Sequence, residues 1–384
     1  MDHISIEKFK ALAKVNEPHC ISIFIPTHRY GQEVNEMVDQ KNLKNQVKMV
    51  RKELEVYNLS RKDIDELLQP IIGLVNDNGF WKHQSDGLAI LRSQSHFVYF
   101  TIPVFFEMFT YINDHFYLKP LIPYLNDDTR FFLLSLSLNG ASLYEGFPHQ
   151  IDKLEVKDLL PEKLEEVVGY DFKEKNLQFR TGHAKGNQAI FHGHGKGKEE
   201  EKPEILKYFR AIDEGVLKVV KDKKIPLILA AVDYLVPLYR EVNRYDHLEE
   251  DFIAGNPEHE DPVLLHEKAK KILKGHFNRE RDEKVSAFEK ALSDVKASYK
   301  EEEIVPAAIN QRVDSLFVRN LSELWGMFDK EKNQILLREE KSRPNACLLN
   351  MAAVHTILNN GKVYLLDAAD MPAPSTKLNA IFRF

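Results

Sequence analysis

Apolar residues recur along the chain at spacings that divide it into short helices and strands. Ile4 to Lys14 reads as a small amphipathic helix, and Cys20 to Ile25 as a strand that Pro26-Thr27-His28-Arg29 ends, because proline cannot extend a ladder. From Asp39 to Val56, Leu43, Val47, Val50 and Leu54 lie four, three and four apart, on one face of a helix. Lys41, Lys44, Lys48, Arg51 and Lys52 occupy its solvated side. Ser60 then offers a side-chain cap to a helix over Arg61 to Val75, with Asp63 in the first turn. Gly87 to Arg92 and Phe97 to Pro103 are β-rich runs around a polar Ser93-Gln94-Ser95-His96 turn.

Asn126-Asp127-Asp128 opens a new pattern. Phe131 to Leu138 and Ala141 to Glu145 read as a hairpin closed by Asn139-Gly140. Leu159 to Val168 is a candidate helix, Glu199 to Val220 is helical with Ile205, Phe209, Ile212 and Val216 on one side, and Pro226 to Val232 is a buried strand followed by a helix. Asn256-Pro257 and Asp261-Pro262 mark a further boundary. Beyond it, helices are expected over Leu264 to Leu273, Lys284 to Lys296, Ile304 to Asn310 and Cys347 to Leu358. Strands are expected over Leu316 to Leu321, Gln334 to Arg338 and Lys362 to Asp367, with Asn360-Gly361 ending the last helix in the left-handed conformation. The pattern is a mixed α/β (α+β) chain in three domains, 1–125, 126–260 and 261–384.

Composition narrows the class without naming it. The length of 384 residues suits two or three domains, and 43% hydrophobic with 29% charged residues is that of a globular protein. Two cysteines, Cys20 and Cys347, are too few for a disulfide scaffold and lack zinc-site spacing. The start of the chain has no apolar core of signal-peptide length, and Val98 to Ile112 is broken by Pro103 and Glu107 and too short to span a bilayer. A cytoplasmic protein with no membrane partner is expected.

Charge singles out one stretch, Gln178 to Lys202, with five of the chain's seventeen glycines. Regular structure is not expected to persist through it. From Lys175 to Lys198 the chain carries Lys175, Arg180, Lys185, Lys196 and Lys198 and no acid, a charge of +5 within a chain of net charge −6. Such a loop suits a polyanion. Its histidines, His183, His192 and His194, leave metal-dependent hydrolysis open, although glycines interrupt a regular strand there and no carboxylate or cysteine sits at ligand spacing. No phosphate-loop or dinucleotide fingerprint is present, and no cofactor is expected. Thr27-His28-Arg29, at a strand's end, can serve phosphate or simply brace the chain. A protein-interaction scaffold is the remaining alternative.

The order of these parts resembles a known family. A basic loop with Lys185-Gly186-Asn187-Gln188 precedes an apolar-faced helix, with an Asn-Gly hairpin upstream and a buried strand downstream, as in archaeal and eukaryotic class-1 peptide release factors and Pelota. With Ser22 to Arg29, Phe191-His192-Gly193-His194-Gly195, Ala230 to Leu235 and Asn350 to Leu366, the whole chain is identified as a member of the bacterial archaeo-eukaryotic release factor family. The resemblance implies an RNase H-like central domain and a C-terminal domain like ribosomal L7Ae/L30e. It implies a ribosome and tRNA partner, with a translational GTPase as a candidate, in rescue or hibernation of stalled ribosomes. Release factors carry Gly-Gly-Gln in this loop and hydrolyse the peptidyl-tRNA ester. Here Gly186 and Gln188 match and Asn187 replaces the middle glycine. Asparagine tolerates positive φ but its side chain crowds a tight site, so hydrolysis and non-catalytic binding both stay open. The implied site is Gly186, Asn187 and Gln188, with Arg180, Lys185, Lys196 and Lys198 meeting RNA phosphates. The stop-codon signature has no counterpart; Lys41-Asn42-Leu43-Lys44 lies within a helix pattern.

Overall fold

A computed structural model describes residues 4–125, 130–148, 150–156, 159–161, 163–168, 196–220, 224–341 and 343–384. Strand β1 (Cys20–Pro26) lies inside a four-stranded antiparallel sheet with β2 (Gly87–Arg92), β3 (Phe97–Ile102) and β4 (Phe109–Asn113), in the order β3-β2-β1-β4. Alternation along β1 sends Ile21, Ile23 and Ile25 under the Val38–Val56 and Arg61–Asn76 helices, where they meet Leu43, Val50, Leu54, Ile64 and Leu68. Cys20 and Phe24 face the other way, into a second apolar cluster. Ser60 caps the Arg61–Asn76 helix by accepting from Asp63 N at 3.2 Å. Strand β4 was not among the expected elements. It forms because β1, buried on both faces, would otherwise present an unpaired backbone edge.

The central sheet consists of β5 (Phe131–Leu136), β6 (Ala141–Gly146), β7 (Ile151–Lys153), β8 (Leu227–Ala231) and β9 (Ile253–Ala254), in the order β7-β6-β5-β8-β9. β5, β6 and β7 run antiparallel, whereas β5 with β8 and β8 with β9 are parallel. One face is covered by the Lys196–Val220 and Leu235–Val242 helices through Phe209, Ile212, Val216 and Tyr239. The other is covered by the Pro262–Ile272 helix through Leu265 and Ala269.

The last segment holds β10 (Ala297–Ser298), β11 (Val313–Arg319), β12 (Trp325–Asp329), β13 (Gln334–Arg338), β14 (Ala346–Cys347), β15 (Lys362–Leu366) and β16 (Leu378–Phe382). They make two sheets, β10-β16-β11-β15 and β13-β12-β14. The charged turn near Lys330 joins β12 to β13, with Met327 opposite Leu336, not Leu316–Leu321 to β13 as the sequence pattern suggests. The left-handed residue Leu321, φ 47°, ends the earlier run and starts the chain on a new strand.

Two compact units result: Asp127–Asn278, and a unit that joins Met1–Asn126 to Arg279–Phe384. The Pro262–Ile272 helix packs with the central sheet although turn signals precede it, because Leu265, Ala269 and Leu273 fill a cluster with Phe131, Leu133 and Ile228. In the joined unit a single apolar cluster runs from Phe9, Phe24 and Phe116 to Leu316, Leu348 and Ala353. Polar contacts cross the same junction. Asn350, 6% exposed, accepts from Leu118 N at 2.8 Å and Lys119 N at 2.9 Å and donates to Phe116 O at 3.2 Å. Asn113 donates to Asn345 O at 2.9 Å, and buried Lys119 donates to Ser322 O at 2.5 Å, its pKa lowered by burial.

Candidate functional site

Of the expected site residues, Gly186, Asn187, Gln188, Arg180 and Lys185 lie outside the described residues, as do His183, His192 and His194. Lys196 and Lys198 fall in the first turn of the Lys196–Val220 helix, which begins three residues earlier than the spacing predicts. The helix thus starts inside the glycine-rich stretch. Gly197 is accommodated near a helix terminus, where its entropic cost is smallest.

What the structure describes is the base that carries residues 169–195. On the N-terminal side, Leu160 and Leu164 are buried, and Leu164 N donates to Leu138 O at 3.2 Å beside the hairpin. On the C-terminal side, Ile205, Leu206, Tyr208 and Phe209 enter the same apolar cluster. The two sides meet closely at Gly215, where an added Cβ would stand 2.1 Å from Leu159 O, so no other residue fits. At about 1.5 Å of rise per residue, Lys196 stands roughly 13 Å along the helix from Ile205, the first buried position described in it.

Ion pairs tie this helix to the Leu235–Val242 helix and to Arg244 just after it. Asp213, fully buried, accepts from Arg244 Nε at 2.7 Å and from Arg244 N at 3.3 Å. Lys202 pairs with Glu241 at 2.9 Å on the surface. The hydroxyls of Tyr208 and Tyr239 are buried with no hydrogen-bond partner among the described residues, and burial raises both phenols.

The strand-end group in the first segment is braced. His28 Nδ1 lies 2.8 Å from Asp39 Oδ1, Arg29 forms two bonds to Asp86 at 2.9 and 2.8 Å, and Thr27 donates to Ser85 O at 2.7 Å. These partners hold the chain where β1 ends. Among the described residues no group of three or more His, Cys, Asp or Glu is placed to hold a metal, and no helix is long and apolar enough to cross a membrane.

Comparison with known proteins bears on the same region. The model of the family described as bacterial archaeo-eukaryotic release factor family 7 matches residues 131–275. No curated protein matches the chain. Among solved structures, archaeal Pelota, from a model of ribosome-bound Pelota and ABCE1, is 12% identical, with 100% of this chain and 95% of that chain covered, at a TM-score of 0.35. Dom34 of S. cerevisiae, a translation termination-like factor, is 14% identical over 75% of this chain and 73% of its own, at 0.34. The archaeal translation termination factor aRF1 is 13% identical over 99% of each chain, at 0.24. At such identities and scores these likenesses carry nothing about mechanism. From β5 through the helix that closes the far face of the central sheet, residues 131–275, the chain is similar to the bacterial archaeo-eukaryotic release factors.

Proposed function

We propose that the chain is a release-factor-like translation factor that binds the ribosome and presents Lys185 to Gln188 to the acceptor end of a tRNA. The family match over residues 131–275 carries this reading, since that segment contains the loop. The charge of +5 between Lys175 and Lys198 supports it, because an otherwise acidic chain concentrates its cations beside the proposed contact. The base supports it as well: Leu164 and Ile205, which flank the loop in the chain, sit in one apolar cluster. Arg180, Lys196 and Lys198 meet phosphates in this reading, and a translational GTPase is a candidate partner. Asn187 stands where release factors have glycine, so the activity proposed is binding to stalled or idle ribosomes, with ester hydrolysis withheld.

Sedimentation with ribosomes from growing and starved cells tests the reading. The wild-type chain is expected in the ribosome pellet, with a deletion of Lys185 to Gln188 lost from it by about tenfold. Equal sedimentation of both chains, or of neither, overturns it. On the same ribosomes Asn187→Gly is expected to give peptidyl-tRNA hydrolysis that the wild type lacks.

A further inference from the structure

A second basic concentration matches the loop in charge. Lys268, Lys270, Lys271, Lys274 and Arg279 lie within twelve residues that include no acid, again +5. In the central unit, Lys270, Lys271, Lys274, Phe277, Asn278 and Pro148, together with one acid, Glu267, line a cleft of about 390 Å³, within the range of ligand sites. Lys268 is paired with Glu260, and Lys270 with Glu267 at 2.8 Å. Lys271 and Lys274 are exposed and form no ion pair among the described residues.

Lys270 and Lys271 end the Pro262–Ile272 helix, where cations suit the dipole, but Lys274 begins the Lys274–Ser293 helix, where a cation opposes it. Glu267 offsets Lys270, which leaves Lys271 and Lys274, three residues apart, as the cations an entering anion would meet. Half-buried Phe277 packs 5.9 Å from the Phe131 ring and turns the remainder of its surface to the cleft, where Pro148 adds a second apolar wall. Inorganic phosphate or an acidic peptide needs only the charges, whereas a nucleobase also needs a flat apolar surface.

The cleft is separate from the loop's base. It lies by the end of the sheet where Phe131 pairs with Gly146 and Phe147 O accepts from His266 Nε2 at 2.6 Å. The loop's N-terminal side is tied to Leu138, past the opposite end of β5, about 20 Å away along the strand.

We infer that this cleft binds single-stranded RNA, with neighbouring phosphates on Lys271 and Lys274 and a base stacked on Phe277. The test is fluorescence anisotropy of the full chain with a labelled oligouridylate of about ten nucleotides. Lys271→Gln with Lys274→Gln should weaken binding about tenfold and lower the slope of log K against log salt by about 1.4. Phe277→Leu, which keeps the packing but removes the aromatic face, should weaken it about fivefold at unchanged slope. In the wild type, the oligonucleotide should protect Lys271 and Lys274 from acetylation, a readout independent of whether any variant folds. Deleting Lys185 to Gln188 should leave these effects in place, which separates this site from the ribosome reading. Unprotected lysines, or an unchanged affinity and salt slope in the double variant, overturn the inference. So does competition by polyglutamate equal to that by unlabelled oligouridylate.

Discussion

Several helices end with a residue in the left-handed conformation, and the side chains at those positions are not equally suited to it. After the Leu348–Leu358 helix, Asn360 has φ 58°, Gly361 N donates to Thr356 O at 2.8 Å and Asn360 N to Ile357 O at 3.0 Å. After the Lys274–Ser293 helix the same pair of bonds recurs, Lys296 N to Ala291 O at 2.8 Å and Val295 N to Leu292 O at 3.2 Å, with Val295 at φ 56°. Asparagine tolerates this conformation, but a β-branched side chain there is strained by about 1–2 kcal/mol. Val295 is 87% exposed, so its side chain gains little from packing in return. Val295→Gly is therefore expected to stabilise the unit that contains it by about 1 kcal/mol, seen as a rise of about 2–4 °C in its thermal midpoint. The Asn360-Gly361 stop was legible in the sequence because its residue types announce the conformation. The Val295 stop was not, because valine announces a strand.

The turn between β2 and β3 is held from outside the hairpin. Glu17 accepts from Ser95 N at 3.1 Å and from Ser95 Oγ, and lies 3.1 Å from His96 Nδ1. Hydrogen bonding by Ser95 holds its carboxyl pKa at about 2 against the usual 4.5. A pKa lowered on folding contributes stability above pH 4.5, and that contribution is lost as the pH falls towards 2. Glu17→Gln should be about 1 kcal/mol less stable than wild type at pH 6, a value reduced for solvent screening at a side chain 23% exposed, and the two urea midpoints should converge between pH 4.5 and 2. Elements with a strong period or a plain cap, such as the Val38–Val56 and Arg61–Asn76 helices, were legible from spacing alone. β4, β12 and β16 were not, because each is a five-residue strand whose partner, not its own pattern, decides it. The candidate site divides in the same way. The charge of the loop shows in composition, but its anchorage by Leu160, Leu164 and Gly215 depends on contacts across the sheet. The lysines at 268–274 read as the solvated side of a helix until Phe277 and Pro148 are seen beside them.

The joining of the first and last segments has no local signature either. No spacing in residues 1–126 says that Phe116 and Leu121 will share a cluster with Leu348 and Ala352, or that Asn350 will accept from two backbone N–H groups in the first segment. Asn350→Ala leaves those groups buried without an acceptor, at about 1–3 kcal/mol apiece. We expect the joined unit to lose about 2–4 kcal/mol in urea unfolding, with the Asp127–Asn278 unit unchanged, so that the two transitions separate. This arrangement, one unit interrupted by another, sets an order of events during synthesis. Once Asn126 has been made, the 152 residues from Asp127 to Asn278 must be added before Arg279 appears, roughly 8 to 30 s at ~5–20 residues per second. The central unit has time to fold in that interval, whereas Phe116, Tyr117, Leu118 and Leu121 lack their partners from the last segment throughout it. A nascent chain that stalls in that stretch is left with an open apolar face and no partner of its own to close it.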